Sequence, residues 1–238
     1  MAGTPMLETE ALHAYYGRAH ILMGVSIAVP PHQVVALIGR NGAGKSTTMK
    51  SIMGLIPEMT GAIRFEGRDI AGSPTHEIAR AGLGYVPEDR RIFAELTVME
   101  NLEVGRRPPR DGAPEWTLER LFEIFPNLAE MRHRRGDRMS GGEQQMLTIA
   151  RTLMGNPACI LLDEPSEGLA PVIVEEMCRA ILRLKREGLS VLLSEQNLHF
   201  ATLVSDGAYI IEKGEIRYGG SMAALVADEA LTEQYLAV

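Results

Sequence analysis

Three stretches of the chain combine residue types whose spacing can do chemistry. The first is Gly39-Arg40-Asn41-Gly42-Ala43-Gly44-Lys45-Ser46-Thr47, which fits G-x-x-x-x-G-K-[ST]. Glycines in that pattern let backbone N–H groups turn inward around a phosphate. The start of the following helix adds partial positive charge at the same point. Lys45 can then reach β- and γ-phosphates, and the Ser46 hydroxyl can ligate Mg²⁺. The competing reading is a Gly-rich strand–helix turn with an incidental lysine. The flanks favour the phosphate loop: Val34 to Ile38 reads as a buried strand, and Ser46 to Met53 as a helix. The chain is therefore expected to bind a nucleoside triphosphate.

The second stretch, Cys159-Ile160-Leu161-Leu162-Asp163, is a continuous apolar run ending in a carboxylate. It reads as a buried parallel strand with Asp163 at its C-terminal edge, where ligands sit in open α/β sheets. Asp163 could hold Mg²⁺ beside Ser46, and Glu164 could orient and deprotonate a water. Helix N-cap acids are the plainer reading, but Pro165 keeps a helix from starting at Glu164. The third stretch is Ser140-Gly141-Gly142-Glu143-Gln144-Gln145. Ser140 and Glu143 form a capping box before an amphipathic helix with Met146, Leu147, Ile149, Ala150, Leu153 and Met154 on one side. Two glycines in its first turn each cost up to ~1 kcal/mol relative to alanine. They allow a close approach to a helix N-terminus, which is an anion site.

The elements that must position these residues alternate along the chain. Residues 7–38 read as strands, broken at Pro30-Pro31. Tyr15-Tyr16-Gly17 is an exposed-looking aromatic turn, either an ordinary turn tyrosine or a face for an adenine ring. Gly61 to Glu66 alternates as a strand before a tight turn, residues 74–81 read as a short helix with Pro74 first, and Gly84 to Pro87 as a strand. From about residue 88 to 139 the composition turns to Arg, Glu and Leu, with helices expected over Val98 to Arg106 and Pro114 to Phe125. The arginines at its two ends read as a solvated face or as a docking surface for another subunit. A helix from Pro171 to Glu187, a strand Ser190 to Ser194 ending in Glu195-Gln196-Asn197, a hairpin around Lys213-Gly214 and a helical tail complete the chain.

Composition narrows the function classes. The 238 residues suffice for one large domain or two small lobes, burying roughly 70–75% of the unfolded surface without staples. A net charge of −7 argues against a nucleic-acid binder driven by bulk charge. No apolar run approaches the roughly 18 residues of a membrane span, and Met1 to Glu10 lacks the marks of a signal peptide. Cys159 and Cys178 fit neither a disulfide framework nor a metal site, which suits a reduced, cytosolic protein.

Taken together, in this order, the three stretches resemble those of the ATP-binding cassette (ABC) ATPases, from Tyr16 to Tyr218. The resemblance implies an α/β fold: a P-loop NTPase cassette with a RecA-like core, an antiparallel β-subdomain and an inserted helical subdomain. Residues 1–88 and 155–220 would form the nucleotide-binding core with the β-subdomain, 89–154 the helical subdomain, and 221–238 the tail. It also implies a head-to-tail dimer sandwiching two ATPs, which would account for the two glycines. Tyr16 matches the adenine-stacking aromatic, and Gly39, Asn41, Gly42, Ala43, Gly44, Lys45, Ser46 and Thr47 lie in the P-loop. Ser140, Gly141 and Gly142 match the signature that caps the γ-phosphate in trans; Asp163 matches the Mg²⁺-holding acid and Glu164 the catalytic base. Ser166 to Leu169 occupies the loop that crosses the dimer interface.

Two positions depart from the wider family. Glu88 stands where most members have a γ-phosphate-sensing glutamine, and Gln196 where most have a switch histidine. Gln196 can only hydrogen-bond a phosphate, while Glu88 could ligate Mg²⁺ but would repel phosphate. Both departures resemble the LivF-type subunit of branched-chain amino-acid importers, as do Val86 to Phe93, Ser140 to Leu147, Asp163 to Pro171 and Glu195 to Asn197. Asp89, where that branch usually has glycine, is a small departure. The implied function is ATP hydrolysis driving uptake of branched-chain or related hydrophobic amino acids. The implied partners are two membrane permeases, a second and different ATP-binding subunit (or a second copy in isolation) and, indirectly, an external binding protein, with no nucleic acid. The implied place is the cytoplasmic face of the membrane. Alternatives are a urea or amide importer, and a weakly hydrolysing regulatory subunit suggested by Glu88 and Gln196. An ABC ATPase acting on DNA or ribosomes fits less well, since those carry two cassettes or a long coiled coil.

Overall fold

The computed structural model describes residues 3–236. The chain opens with two long antiparallel strands, β1 (Leu7–Tyr16) and β2 (Ala19–Val29), then β3 (Val34–Ile38) and helix α1 (Lys45–Ile52). β4 (Glu58–Phe65), β5 (Arg68–Asp69), α2 (Thr75–Ala81) and β6 (Leu83–Val86) follow. A helical stretch holds α3 (Val98–Gly105), α4 (Leu118–Ile124), α5 (Pro126–Glu130) and α6 (Gly141–Leu153). Next come β7 (Cys159–Asp163), α7 (Pro171–Arg186), β8 (Ser190–Glu195), α8 (Leu198–Val204) and the hairpin β9 (Gly207–Glu212) and β10 (Glu215–Ser221). α9 (Met222–Ala227) and α10 (Glu229–Leu236) close the chain. No described helix is long and apolar enough to cross a membrane.

The strands form two sheets, an antiparallel one ordered β2-β1-β4-β5 and a six-stranded one ordered β10-β9-β3-β8-β7-β6. In the larger sheet β6, β7, β8, β3 and β9 run parallel and only β10 is reversed. β3, β7 and β8 are buried along their whole length, which explains their unbroken apolar runs. Alternation still decides which face each side chain serves. Ile160, Leu162, Val191 and Leu193 join a core with α3, α4, α6 and α7. Cys159, Leu161 and Leu192 join a core with α1 and the small sheet. Each such buried Leu or Ile contributes about 1.5–3 kcal/mol. Because the central strands are parallel, their C-terminal ends meet at one edge. That edge carries Gly39, Pro87-Glu88, Asp163-Glu164 and Glu195-Gln196.

Several boundaries differ from the sequence expectation. The helix expected from Pro114 starts at Leu118, because Trp116 turns inward to 2% exposure and Thr117 caps, its hydroxyl accepting from the Arg120 N–H. Pro74 is the N-cap of α2 rather than its first residue. β10 runs on through Ser221, so the tail starts at Met222. α8 was not anticipated; Asn197 caps it, accepting from the Phe200 N–H at 3.1 Å.

The segment joining β6 to α3 depends on Asn101, which is fully buried. Its Oδ1 accepts from the Phe93 N–H at 2.9 Å, and its Nδ2 reaches the carbonyls of Phe93, Leu96 and Thr97 at 3.0, 3.2 and 3.0 Å. Asn101→Ala leaves these buried groups unpaired and should cost about 1–3 kcal/mol, read as a lower urea midpoint at unchanged slope.

Candidate functional site

The site is assembled from the loop after β3 and the ends of β7 and β8. Gly44 precedes α1 at φ +113°, and a side chain there would meet Leu22 Cδ2 at 2.8 Å, so only glycine fits. The loop is backed by the β9–β10 turn, where the Gly214 N–H donates to the Ala43 carbonyl at 2.8 Å. Lys45, the first residue of α1, is 3% exposed. Its ammonium donates to the carbonyls of Gly39 and Arg40 at 2.8 and 3.1 Å and pairs with Glu164 Oε1 at 2.9 Å. All three ammonium protons are thereby engaged.

Asp163 is the second anchor. Its Oδ1 accepts from Ser46 Oγ at 3.0 Å and from Ser194 Oγ at 2.6 Å, and its Oδ2 accepts from the Tyr85 hydroxyl at 3.2 Å. Burial, then the nearby Asp163 charge, holds the Tyr85 phenol well above its usual range, so it stays a donor. Glu164 follows at φ +46°, a strained conformation for a non-glycine residue. Its N–H donates to the carbonyl and the hydroxyl of Ser194 at 3.1 and 3.2 Å. Glu164 Oε2 is buried and has no hydrogen-bond partner among the described residues. A carboxylate is thus held by a strained backbone, with one oxygen on Lys45 and the other free to accept.

Glu88 is exposed. No hydrogen bond joins it to Ser46 or Asp163 among the described residues; it stands near Glu167, whose carboxyl is pushed up by burial and by the charges of Glu164 and Glu88. Gln196 is exposed at the turn after β8. Tyr16 ends β1 at 49% exposure, its ring open to solvent. Asn41 and Gly42 are exposed in the phosphate loop, Ala43 is buried, and Thr47 is half-buried in α1.

The signature segment contains the expected capping box. The Ser140 N–H donates to Glu143 Oε2 at 2.7 Å, and the Glu143 N–H to Ser140 Oγ at 3.4 Å. Its glycines have a reason inside the chain that sequence reasoning did not see. A side chain at Gly142 would meet Ile173 Cγ2 of α7 at 2.6 Å, and one at Gly141 would run into the Arg90 guanidinium. Ser194 and Tyr85 were also missed as partners of Asp163. Serine at the end of the otherwise apolar Val191-Leu192-Leu193 was the available signal; for Tyr85 the pairing of β6 with β7 decides it.

Comparison with known proteins gives a consistent result. The family model described as "ABC transporter" matches residues 22–167. The high-affinity branched-chain amino acid transport ATP-binding protein BraG of Pseudomonas aeruginosa is 42% identical over 231 residues, 97% of this chain and 99% of the relative. The lipopolysaccharide export system ATP-binding protein LptB of Haemophilus influenzae is 36% identical, covering 97% of each. A probable branched-chain amino acid transport ATP-binding protein LivF of Archaeoglobus fulgidus is 34% identical, over 94% of this chain and 95% of the relative. Among solved structures, an ATP-binding cassette of an ABC transporter in its ADP conformation superposes with a TM-score of 0.81 at 29% identity, covering 97% of this chain and 98% of that one.

The packing role of Gly142 is testable by sign. Helix propensity alone would make Gly142→Ala stabilising by up to ~1 kcal/mol. The contact with Ile173 should reverse that, giving a net loss of about 1–3 kcal/mol. Adding Ile173→Ala should make the double variant less unstable than the two single losses summed, as read in denaturant melts.

Proposed function

We propose that this chain, which belongs to the ABC transporter family of ATP-binding, ATP-hydrolysing subunits, powers the uptake of branched-chain amino acids. Within the hydrolysis cycle, we assign Lys45 and the backbone of Gly39 to Thr47 to the β- and γ-phosphates, and Tyr16 to the adenine. The observation that carries this is the set of buried Lys45, Glu164 and Asp163 with half-buried Ser46 at one sheet edge. Phosphate oxygens compete with Glu164 for the Lys45 ammonium. The Glu164 carboxylate then accepts a proton from the water whose oxygen bonds to the γ-phosphorus as the bond to ADP breaks.

The donor set also fits Mg²⁺. Hydroxyl and carboxylate oxygens are the hard ligands it takes, and adjacent ligands of an octahedron with bonds of 2.0–2.1 Å lie about 2.9 Å apart. Ser46 Oγ and Asp163 Oδ1 are 3.0 Å apart. When bound there, the ion would neutralise charge on the phosphates. Glu88, exposed and beside Glu167, would join this set only by turning inward. Ser140, Gly141 and Gly142 are assigned to the γ-phosphate of a partner cassette, and Gln196 to a hydrogen bond on the same phosphate.

Coupling to membrane permeases is supported by a groove of about 790 Å³ walled by Tyr85, Phe93, Val104, Pro108 and the arginines 107 and 151. Phe93 and Val104 are 47% and 50% exposed, and Arg151 lies over the Phe93 ring at 5.0 Å. Apolar walls with cations suit a cytoplasmic loop of a permease. The substrate reading leans on the 42% identity to BraG over nearly the full length of both chains, against 36% for the export protein LptB. A second, different ATP-binding subunit and a position on the cytoplasmic face complete the proposal.

Two measurements test it. In the assembled transporter, Glu164→Gln should lower turnover about 10²–10⁴-fold while ATP binding persists; unchanged turnover refutes the base assignment. Tagged chain recovered from its native membrane should bring down two permeases and a second ATPase subunit. The binding protein of that system should then take up leucine, isoleucine and valine in a binding assay. Recovery of lipopolysaccharide-export components, or a binding protein that takes only urea or amides, refutes the substrate.

A further inference from the structure

Glu195 ends β8 at 1% exposure. A carboxylate that deep is strongly disfavoured unless hydrogen bonds satisfy it. It accepts from backbone N–H groups of two different loops, and the Ser166 hydroxyl supports it as well. Ser166, in the loop after Glu164, donates to Oε1 at 3.1 Å. Asn197, just beyond Gln196, donates to Oε2 at 3.4 Å. One side chain therefore spans the two segments that carry Glu164 and Gln196. The bond to Asn197 closes a turn around Gln196, and Asn197 goes on to cap α8.

We infer that Glu195 is a positioning residue for hydrolysis: its carboxylate locks the Ser166 loop to the Gln196 turn and so sets where Glu164 and Gln196 stand against the terminal phosphate. This rests on the roles proposed above for Glu164 and Gln196. Both bonds are strongest to the ionised carboxylate, which accepts on two charged oxygens. Protonation makes one oxygen an O–H donor and a poorer acceptor, and so loosens one of the two loops. Burial, the dominant cause, pushes this carboxyl up to about 7, opposed by the Ser166 hydroxyl and by the N–H groups of Ser166 and Asn197, with the Glu164 charge adding a smaller upward push. The titratable groups facing it are Glu164, itself paired with Lys45 of α1, and the Cys178 thiol of α7. Its neighbours on the β3 side, Ile38 and Gly39, carry no charge. Turnover should therefore rise with pH through about 7 as the lock forms.

The experiment is steady-state ATP hydrolysis by the assembled transporter between pH 5.5 and 9, with binding of a fluorescent ATP analogue and a melting curve for each variant. Glu195→Gln keeps the shape but offers only one acceptor. It should lower kcat about tenfold or more, as a misplaced reacting group does, with KM within about twofold and without the rise near pH 7. Glu195→Asp keeps the charge but shortens the reach; it should also lower kcat while retaining an acid limb, and it serves if Glu195→Gln fails to fold. Wild-type kcat and pH profile in these variants overturn the inference. So does a kcat that falls only in step with the melting temperature. Glu164→Gln, run alongside, separates the two readings: an active Glu164→Gln enzyme refutes the base, whereas a fully active Glu195→Gln enzyme refutes the lock alone.

Discussion

The carboxylate of Asp163 is the joint on which the rest of the site hangs. It is 1% exposed, and accepts from Ser46 on α1, Ser194 on β8 and Tyr85 on β6. Burying it is tolerable only because these hydroxyls replace water. The same bonds set the distance between the phosphate loop and the strand that carries Glu164. A shift of β8 relative to β7 would break the Ser194 contacts to both Asp163 and Glu164 at once. The parallel register, Asp163 opposite Ser194 and Ile38 opposite Glu195, therefore sets the geometry of the candidate site as well as the packing of the sheet.

Around that joint, charge is handled by pairing and by strain. Lys45 and Glu164 neutralise each other in a buried site, where losing one partner leaves an uncompensated charge worth about 3–5 kcal/mol. The left-handed backbone at Glu164 aims its carboxylate at Lys45 instead of away along the strand. Such strain persists only where the surroundings over-determine it. Here the Glu164 N–H is held by two oxygens of Ser194. Under the proposed assignment nucleotide phosphates compete for the Lys45 ammonium, and their binding would free Glu164.

The helical segment is joined to this edge by side chains. Thr148 and Arg151 of α6 donate to the carbonyls of Arg90 and Arg91, two and three residues after Glu88. The Arg90 guanidinium in turn donates to the Glu167 carbonyl at 3.3 Å and covers Gly141. The groove, the signature helix and the loop after Glu164 thus share one short chain of contacts. A movement imposed in the groove at Arg151 has a direct mechanical route to the signature.

Much of this was legible in the sequence. The phosphate loop, the strand ending in Asp163-Glu164 and the capping box at Ser140 are local patterns, set by residue types a few positions apart. The apolar runs of β3, β7 and β8 announced a parallel sheet because both of its faces are covered. What the sequence left open is whatever depends on residues far apart in the chain. Periodicity identifies a strand but not its neighbour, so it could not say that Ser194 and Tyr85 both reach Asp163. Nor could it say that Gly142 is glycine because Ile173 presses against it, or that Glu195 bridges two loops. Those contacts are fixed by strand order, register and packing of α6 on α7, which only the folded chain decides.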